Sequence, residues 1–266
     1  EDTIMNPALW ISKTGLDAQQ TDISVISNNL ANASTVGYKK SRAIFEDLLY
    51  QNINQPGGRS SQDTEMPSGL MLGAGAKVVA NQKEFTQGNM LTTENSLDWM
   101  ISGEGFFEVL QPDGNIAYSR NGQFTTDGDG RIVTSGAGYV IQPEMNVPDD
   151  AQSITVSQDG EVSVRVAGQA DNVVIGQLTI SDFINPSGLE PIGQNLYTET
   201  AVSGAPVQGN PGVEGLGSII QGSLETSNVN VTEELVNLIE TQRIYEMNSK
   251  VISAVDEMMS YINQQL

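Results

Sequence analysis

The spacing of apolar positions changes character twice along the 266 residues, so the chain divides into a helical start, a β-rich middle and a helical end. From Ala8 to Ala33, Leu9, Leu16, Ile23 and Leu30 recur every seven positions, with Ile26 and Ala33 filling the second seam position. Such a repeat keeps one side of a helix turned toward a partner helix. The other positions are mostly Ser, Thr, Asn, Asp and Gln with almost no charge pairing, so this helix depends on that partner. The far end supplies one: Val231, Leu238, Tyr245, Ile252, Met259 and Leu266 carry the same repeat, which predicts a left-handed seam. The alternate seam positions Gln242, Ser249 and Asp256 are polar and weaken a simple two-helix coil, so a helical hairpin inside one core fits the pattern equally well. Beyond Tyr245, the residues Met247, Val251, Val255, Met258 and Ile262 widen the apolar arc past what one neighbour covers.

Between the helices, Ile154 and Val156, then Val162, Val164 and Val166, then Val173 to Ile180 read as strands. The dipeptides Asp113-Gly114, Asn121-Gly122, Asp127-Gly128 and Asp159-Gly160 predict antiparallel hairpins. Pro and Gly crowd Gly204 to Gly217, a predicted loop back to the final helix, which Ser227 or Asn228 would cap ahead of Glu233 and Glu234. The expected class is α+β, with paired terminal helices enclosing an inserted antiparallel β-rich domain. Its parts are a helical assembly domain (5–33 with 229–266), connecting segments (34–76 with 201–228, including an extended arm at 51–70) and a β-rich domain (77–200).

Composition removes most chemistry. The chain has no His and no Cys, hence neither the commonest general base nor a thiol nucleophile, and few of the ligands that zinc, copper or iron prefer. Its 33 acidic against 12 basic residues leave a formal charge of -21, which repels a phosphate backbone and argues against nucleic acid. No apolar run approaches the roughly 18 to 20 residues needed to span a bilayer, so direct membrane insertion is not expected. The polar start Glu1–Ile4 is followed by no secretory signal.

The candidate sites are weak. Asp127-Gly-Asp129-Gly resembles the opening of a calcium loop, but Arg131 and Gly138 stand where ligands belong. Gly73-Ala-Gly75 and Gly103-Glu-Gly105 lack the third glycine of a nucleotide fingerprint. Paired carboxylates could serve an acidic secreted hydrolase, the rival class, but two Trp offer little of a sugar platform. The basic cluster Lys39, Lys40 and Arg42 suits either a solvated turn or a contact with acidic neighbours. The expectation is a non-enzyme with no cofactor and no metal.

Three stretches resemble the flagellar basal-body rod and hook family. Asn28-Asn29-Leu-Ala-Asn32 with Ser34-Thr-Val-Gly37-Tyr38-Lys39 resembles its amino-terminal signature. Glu225-Thr-Ser-Asn228-Val-Asn-Val231, Gln242-Arg243-Ile-Tyr245 and Asn248-Ser-Lys250 resemble its carboxy-terminal one. Gly103-Glu-Gly-Phe-Phe-Glu-Val109 and Tyr118-Ser-Arg-Asn-Gly-Gln-Phe124 match its central β region. Within the family, Phe45-Glu-Asp-Leu-Leu-Tyr-Gln51, Gln55-Pro-Gly57, Pro67-Ser-Gly-Leu70 and Gly188 to Glu199 are most similar to distal-rod members, with a hook or proximal-rod role as the alternative. The resemblance implies a structural subunit of a rigid helical homopolymer spanning the periplasm, delivered by the flagellar type III export apparatus. Its partners would be proximal-rod and hook proteins and the surrounding periplasmic and outer-membrane rings. The terminal seams would carry self-assembly.

The charge yields a first test. Packed copies carrying -21 each repel one another, and salt shortens the range of that repulsion to about 10 Å at 0.1 M. Light scattering should therefore show assembly speeding up as ionic strength rises from low values. Steady slowing would mean that ion pairs between subunits dominate.

Overall fold

The computed structural model describes residues 7–54, 69–167, 171–213 and 215–265. They form two compact units, one made of Glu1–Ala31, Ser41–Gln82 and Asn230–Leu266, the other of Asn32–Lys40 and Lys83–Val229. The expected α+β class holds: the terminal helices touch, and the region between them in sequence is antiparallel β structure.

In the helical unit, α1 (Pro7–Ala31) begins on a proline, whose fixed φ suits the first helical position. The start of α2 (Val231–Gln265) is set by Asn230, whose Oδ1 accepts the N–H groups of Thr232 (3.1 Å) and Glu233 (3.5 Å). The cap thus falls beyond Ser227 and Asn228, which are engaged elsewhere. Glu233 and Glu234 occupy the first turn, where the helix dipole favours carboxylates.

Three contacts fix how α1 meets α2. Asn29 Nδ2 donates to Glu234 Oε2 (3.3 Å), Thr241 Oγ1 donates to Asp22 Oδ2 (3.3 Å), and a Cβ on Gly15 would meet Asn248 Nδ2 at 3.1 Å. Each step is seven residues down α1 and seven up α2, which makes the pair antiparallel with a polar ladder in its seam. The inward face of α2 is accordingly Glu234, Leu238, Thr241, Ile244, Asn248, Ile252 and Val255, while Gln242, Ser249 and Asp256 are exposed. The second seam position lies three residues after the first, not four. Burial raises the pKa of Asp22 above the usual carboxylate range, against the lowering hydrogen bond from Thr241.

The same unit holds two ribbons, Ser41–Asp47 with Ala76–Lys83, and Tyr50–Asn54 with Leu70–Gly73. Gly75 is needed where they meet α1: its φ is +111° and a Cβ would lie 2.1 Å from Thr14 Oγ1. Residues 34–76 thus contain paired strands where a plain connection was expected. Most of the expected arm at 51–70 lies outside the described residues.

The β-rich unit is built on a nine-stranded sheet. Its main order is Glu190–Gly193, Leu196–Thr198, Ile116–Ser119, Phe106–Leu110, Val140–Gln142, Ile132–Thr134 and Phe124–Thr126, with Ile180–Asp182 joining Phe106–Leu110 to Val207–Gly209. A three-stranded sheet (Ala151–Val156, Glu161–Val166, Val173–Gln177) and two ribbons, Trp99–Ser102 with Ser218–Gln221 and Met90–Thr92 with Ser223–Glu225, complete it. Trp99, Ile101, Phe107, Phe124, Ile132, Ile141, Leu178, Ile180 and Ile219 form the main core. Phe106, Tyr118, Phe183 and Tyr197 make a second, edge-to-face cluster.

Hairpin turns close at Asp113-Gly114, Asp127-Gly128 and Asp159-Gly160 as the dipeptides predict. Asn121-Gly122 does something else: a Cβ on Gly122 would sit 1.6 Å from the Trp99 carbonyl oxygen, so this glycine permits a close backbone approach. The compact unit also runs past residue 200. Ile219 lies in its core and Leu216 packs against it, so the Pro/Gly-rich stretch after 200 is short strands and not a loop alone.

A folding test follows. A fragment of residues 32–229 should melt cooperatively. A fragment of 77–200 should not, because Trp99 and Ile101 lose the strand Ser218–Gln221 and the core loses Ile219; calorimetry of both checks this. A sharp transition from the shorter fragment would show that the last three strands are dispensable.

Candidate functional site

Two arrangements concentrate the residues singled out in the sequence: a buried latch in the β-rich unit and an open apolar surface on the helical unit. The latch joins 32–40 to 225–228. Lys39 is 0% exposed, and its Nζ donates to Glu225 Oε1 at 2.6 Å and to the Thr86 carbonyl at 2.8 Å. Glu225 Oε1 also accepts the Gly88 N–H (2.8 Å), and Oε2 faces Arg120 Nη1 at 3.4 Å. Arg120 donates to the Gly103 carbonyl (2.8 Å) and lies over the Phe106 ring. Two cations thus share one carboxylate out of reach of water. Burial lowers the pKa of both Lys39 and Arg120, against the raising influence of Glu225.

The rest of the amino-terminal signature supports this cluster. Gly37 (φ +70°) donates its N–H to the Glu225 carbonyl (2.8 Å), and a Cβ there would lie 2.8 Å from the Asn121 nitrogen. The Tyr38 ring carries Lys83 Nζ at 4.8 Å, and Asn32 Oδ1 accepts from Thr35 Oγ1 at 3.2 Å. Asn228 is the crosspiece: its Oδ1 accepts the Lys40 N–H (2.7 Å), and its Nδ2 donates to the Glu84 carbonyl (2.8 Å) and to Thr86. Lys40 pairs with Glu84 at 3.3 Å. Of the expected basic cluster, then, Lys39 and Lys40 are bound within the unit. Asn29 works in the helical unit, where it also exchanges two hydrogen bonds with the Ser41 backbone (2.8 and 2.9 Å). Asn28 is exposed on α1.

The carboxylates that could suggest chemistry are occupied. Asp127 and Asp129 both bind Arg131 (3.2 and 3.0 Å), and among the described residues no group of three or more His, Cys, Asp or Glu side chains could hold a metal. Buried Glu108 accepts from Gln208 Nε2 (2.7 and 2.8 Å) and from Ser181 Oγ. Burial, helped by Glu108 and Glu199, pushes the Tyr118 pKa up to about 12.

The expected assembly residues are spread over both sides of the helices. Ile26 is buried, Leu9, Leu16, Ile23, Leu30, Leu238 and Ile252 are half-buried, and Tyr245 and Met259 are exposed. Leu266 lies outside the described residues. Of the carboxy-terminal signature, Gln242, Arg243 and Tyr245 face outward, and Asn248 stands over Gly15. Glu225 and Arg120, which hold the latch, were not singled out as site residues. A string of short polar and acidic residues gives no periodic signal for a buried ion cluster.

Three family models match the chain. They are described as Flagella basal body rod protein (residues 10–39), Flagellar hook protein FlgE/F/G D1 domain (100–164) and Flagellar basal body rod FlgEFG protein C-terminal (220–265). Helical ends, a β-rich middle and these matches define a flagellar rod-and-hook protein. Relatives refine this: flagellar basal-body rod protein FlgG of Buchnera aphidicola subsp. Acyrthosiphon pisum is 54% identical over 98% of this chain and 100% of that protein. FlgG of Agrobacterium fabrum is 46% identical (97% and 99% covered) and FlgG of Bacillus subtilis 36% (95% and 96%). The chain belongs to the FlgG family of flagellar basal-body rod proteins, a structural family of the flagellar basal body.

The latch can be tested by truncation. Glu225→Ala leaves two buried cations without their carboxylate and should cost about 3–5 kcal/mol in the denaturant unfolding of residues 32–229. Lys39→Met keeps the apolar stem and leaves Glu225 with Arg120 and Gly88, so it should cost less. A larger loss for the lysine variant would contradict the assignment of Glu225 as the hub.

Proposed function

We propose that this chain is a structural subunit of the distal rod, polymerising into a rigid helical shaft that carries torque from motor to hook, with the helical unit as its assembly domain. The carrying observation is where apolar surface is and is not buried. Among the described residues, the three buried apolar clusters all lie in the β-rich unit. Among the described residues, the helical unit buries only Ala18, Val25, Ile26, Ala43 and Val255 of its apolar side chains. It leaves Trp10, Phe45, Tyr50, Leu72, Ile239 and Val251 open, and Leu49 is 90% exposed. Exposed apolar surface on this scale marks a surface made for association.

The pattern on α2 indicates what kind of association. Met247, Val251, Ala254, Met258 and Tyr261 are spaced by four, three, four and three residues and form a second stripe, turned away from the face that meets α1. A heptad stripe asks for another helix, and copies of this chain provide one. In this reading the stripe meets a different face of the neighbour, a heterologous contact, and such contacts extend into filaments when their rotation does not close. Exposed Tyr245 and Met259 extend the assembly surface, and the half-buried residues Leu9, Leu16, Ile23, Leu30, Leu238 and Ile252 contribute to it only the part that the hairpin leaves uncovered. Proximal-rod and hook proteins are the expected partners at the two ends, ring proteins those around the shaft, and the flagellar export apparatus the route of delivery.

The double substitution Val251→Asp with Met258→Asp places two charges in that stripe. Each would cost several kcal/mol once buried without a partner. Electron microscopy should show no filaments, while calorimetry should show the β-rich unit melting as in the parent protein. Normal filaments from the double variant would contradict the assembly surface.

A further inference from the structure

The described methionines differ sharply in exposure. Met100 and Met145, in the β-rich unit, are 4% and 2% exposed and sit in packed surroundings. In α2, Met247 and Met258 are each 57% exposed and Met259 is 40% exposed. Met258 lines an apolar surface hollow with Ala254, Glu257 and Tyr261. A thioether is unbranched and polarizable, so it fills irregular gaps between helices at low cost. The same sulfur is the group on this chain most open to two-electron oxidation, since the chain has no cysteine.

We propose that Met247, Met258 and Met259 are an oxidation-sensitive modification site, at which hydrogen peroxide blocks assembly of the free subunit. The proposal rests on the reading of this α2 surface as an assembly contact. The sulfur lone pair attacks one peroxide oxygen and the O–O bond breaks. An S–O bond forms, and the departing hydroxide takes up the proton left by the first oxygen and leaves as water. Sulfur loses two electrons and peroxide gains them. The product is a polar sulfoxide on the stripe that must enter an apolar helix contact, where an oxygen without a donor destabilises the contact. Subunits already in a filament would have these sulfurs covered, so the sensitivity belongs to the subunit before it is incorporated. Reduction of the sulfoxide by a methionine sulfoxide reductase would restore competence.

The test compares the whole chain, untreated and treated with limiting hydrogen peroxide, by peptide mass spectrometry and by filament yield. Sulfoxide should form at Met247, Met258 and Met259 well before Met100 and Met145, and the critical concentration for assembly should rise by roughly tenfold or more. Met71 and Met90 are also exposed and will also be oxidised, so a triple variant, Met247→Leu, Met258→Leu and Met259→Leu, separates their effect. Leucine keeps the volume and the apolar character. The triple variant should form filaments and keep forming them after the same treatment. Oxidised parent protein that assembles like untreated protein overturns the proposal, as does a triple variant that loses assembly as readily as the parent. Absence of filaments in the untreated arm overturns the underlying assembly reading instead, so the two failures are told apart.

Discussion

Two helices that pack on each other can hide one face apiece, and every other apolar face must find a further neighbour or stay in water. In this chain even the hidden face is half polar. Asn29, Asp22, Glu234, Thr241 and Asn248 line the seam at heptad intervals and set its direction and register. Polar seam residues specify a pairing at some cost to its strength. The helical unit is therefore well defined in geometry and poorly supplied with buried apolar area. The open ribbons and the second stripe on α2 follow from that constraint, since a unit with its own complete core would have little left to offer a neighbour.

The β-rich unit solves the opposite problem. It has three apolar clusters of its own and can spare a buried ion cluster, in which Glu225 accepts from Lys39 and Gly88 and pairs with Arg120. Replacing such a cluster with apolar groups is often neutral for stability, so its use here is to fix one arrangement of 32–40 against 225–228. The cluster also uses scarce charge. Of 12 Lys and Arg, Lys39, Lys40, Lys77, Arg120 and Arg131 are already paired within the chain. With 12 basic against 33 acidic residues, cations are too scarce to offset the repulsion between copies that each carry -21, which favours apolar contact as the attraction between them.

Much of this was legible in the sequence because periodicity is a physical signal. The repeats of Leu9, Leu16, Ile23 and Leu30 and of Leu238 and Ile252 announced two helices that meet, and alternating Val162 and Val164 announced a strand with both side chains in the core. The seam register was less legible. A seven-residue repeat can be completed three or four positions on, and hydrogen bonds to Asp22 and Asn29, not apolar spacing, choose Thr241 over Gln242. Short strands such as Ser218–Gln221 sit among glycines and read as loop, because their pairing with Trp99–Ser102 is remote in sequence. The latch was half visible: its residues fall in the three stretches that stood out through resemblance, but nothing in the sequence joins Lys39, Arg120 and Glu225, which lie far apart along the chain.

The central claim is that the helical unit gains its missing core only in the polymer. Amide hydrogen exchange measured on the free subunit and on filaments tests it most directly. The account predicts that α2, above all residues 245–261, exchanges quickly in the free subunit and is strongly protected in the filament, while strands such as Phe106–Leu110 and Ile132–Thr134 exchange equally slowly in both. Equal and strong protection of α2 in the free subunit would show that the helices already have a core of their own, and would contradict the claim.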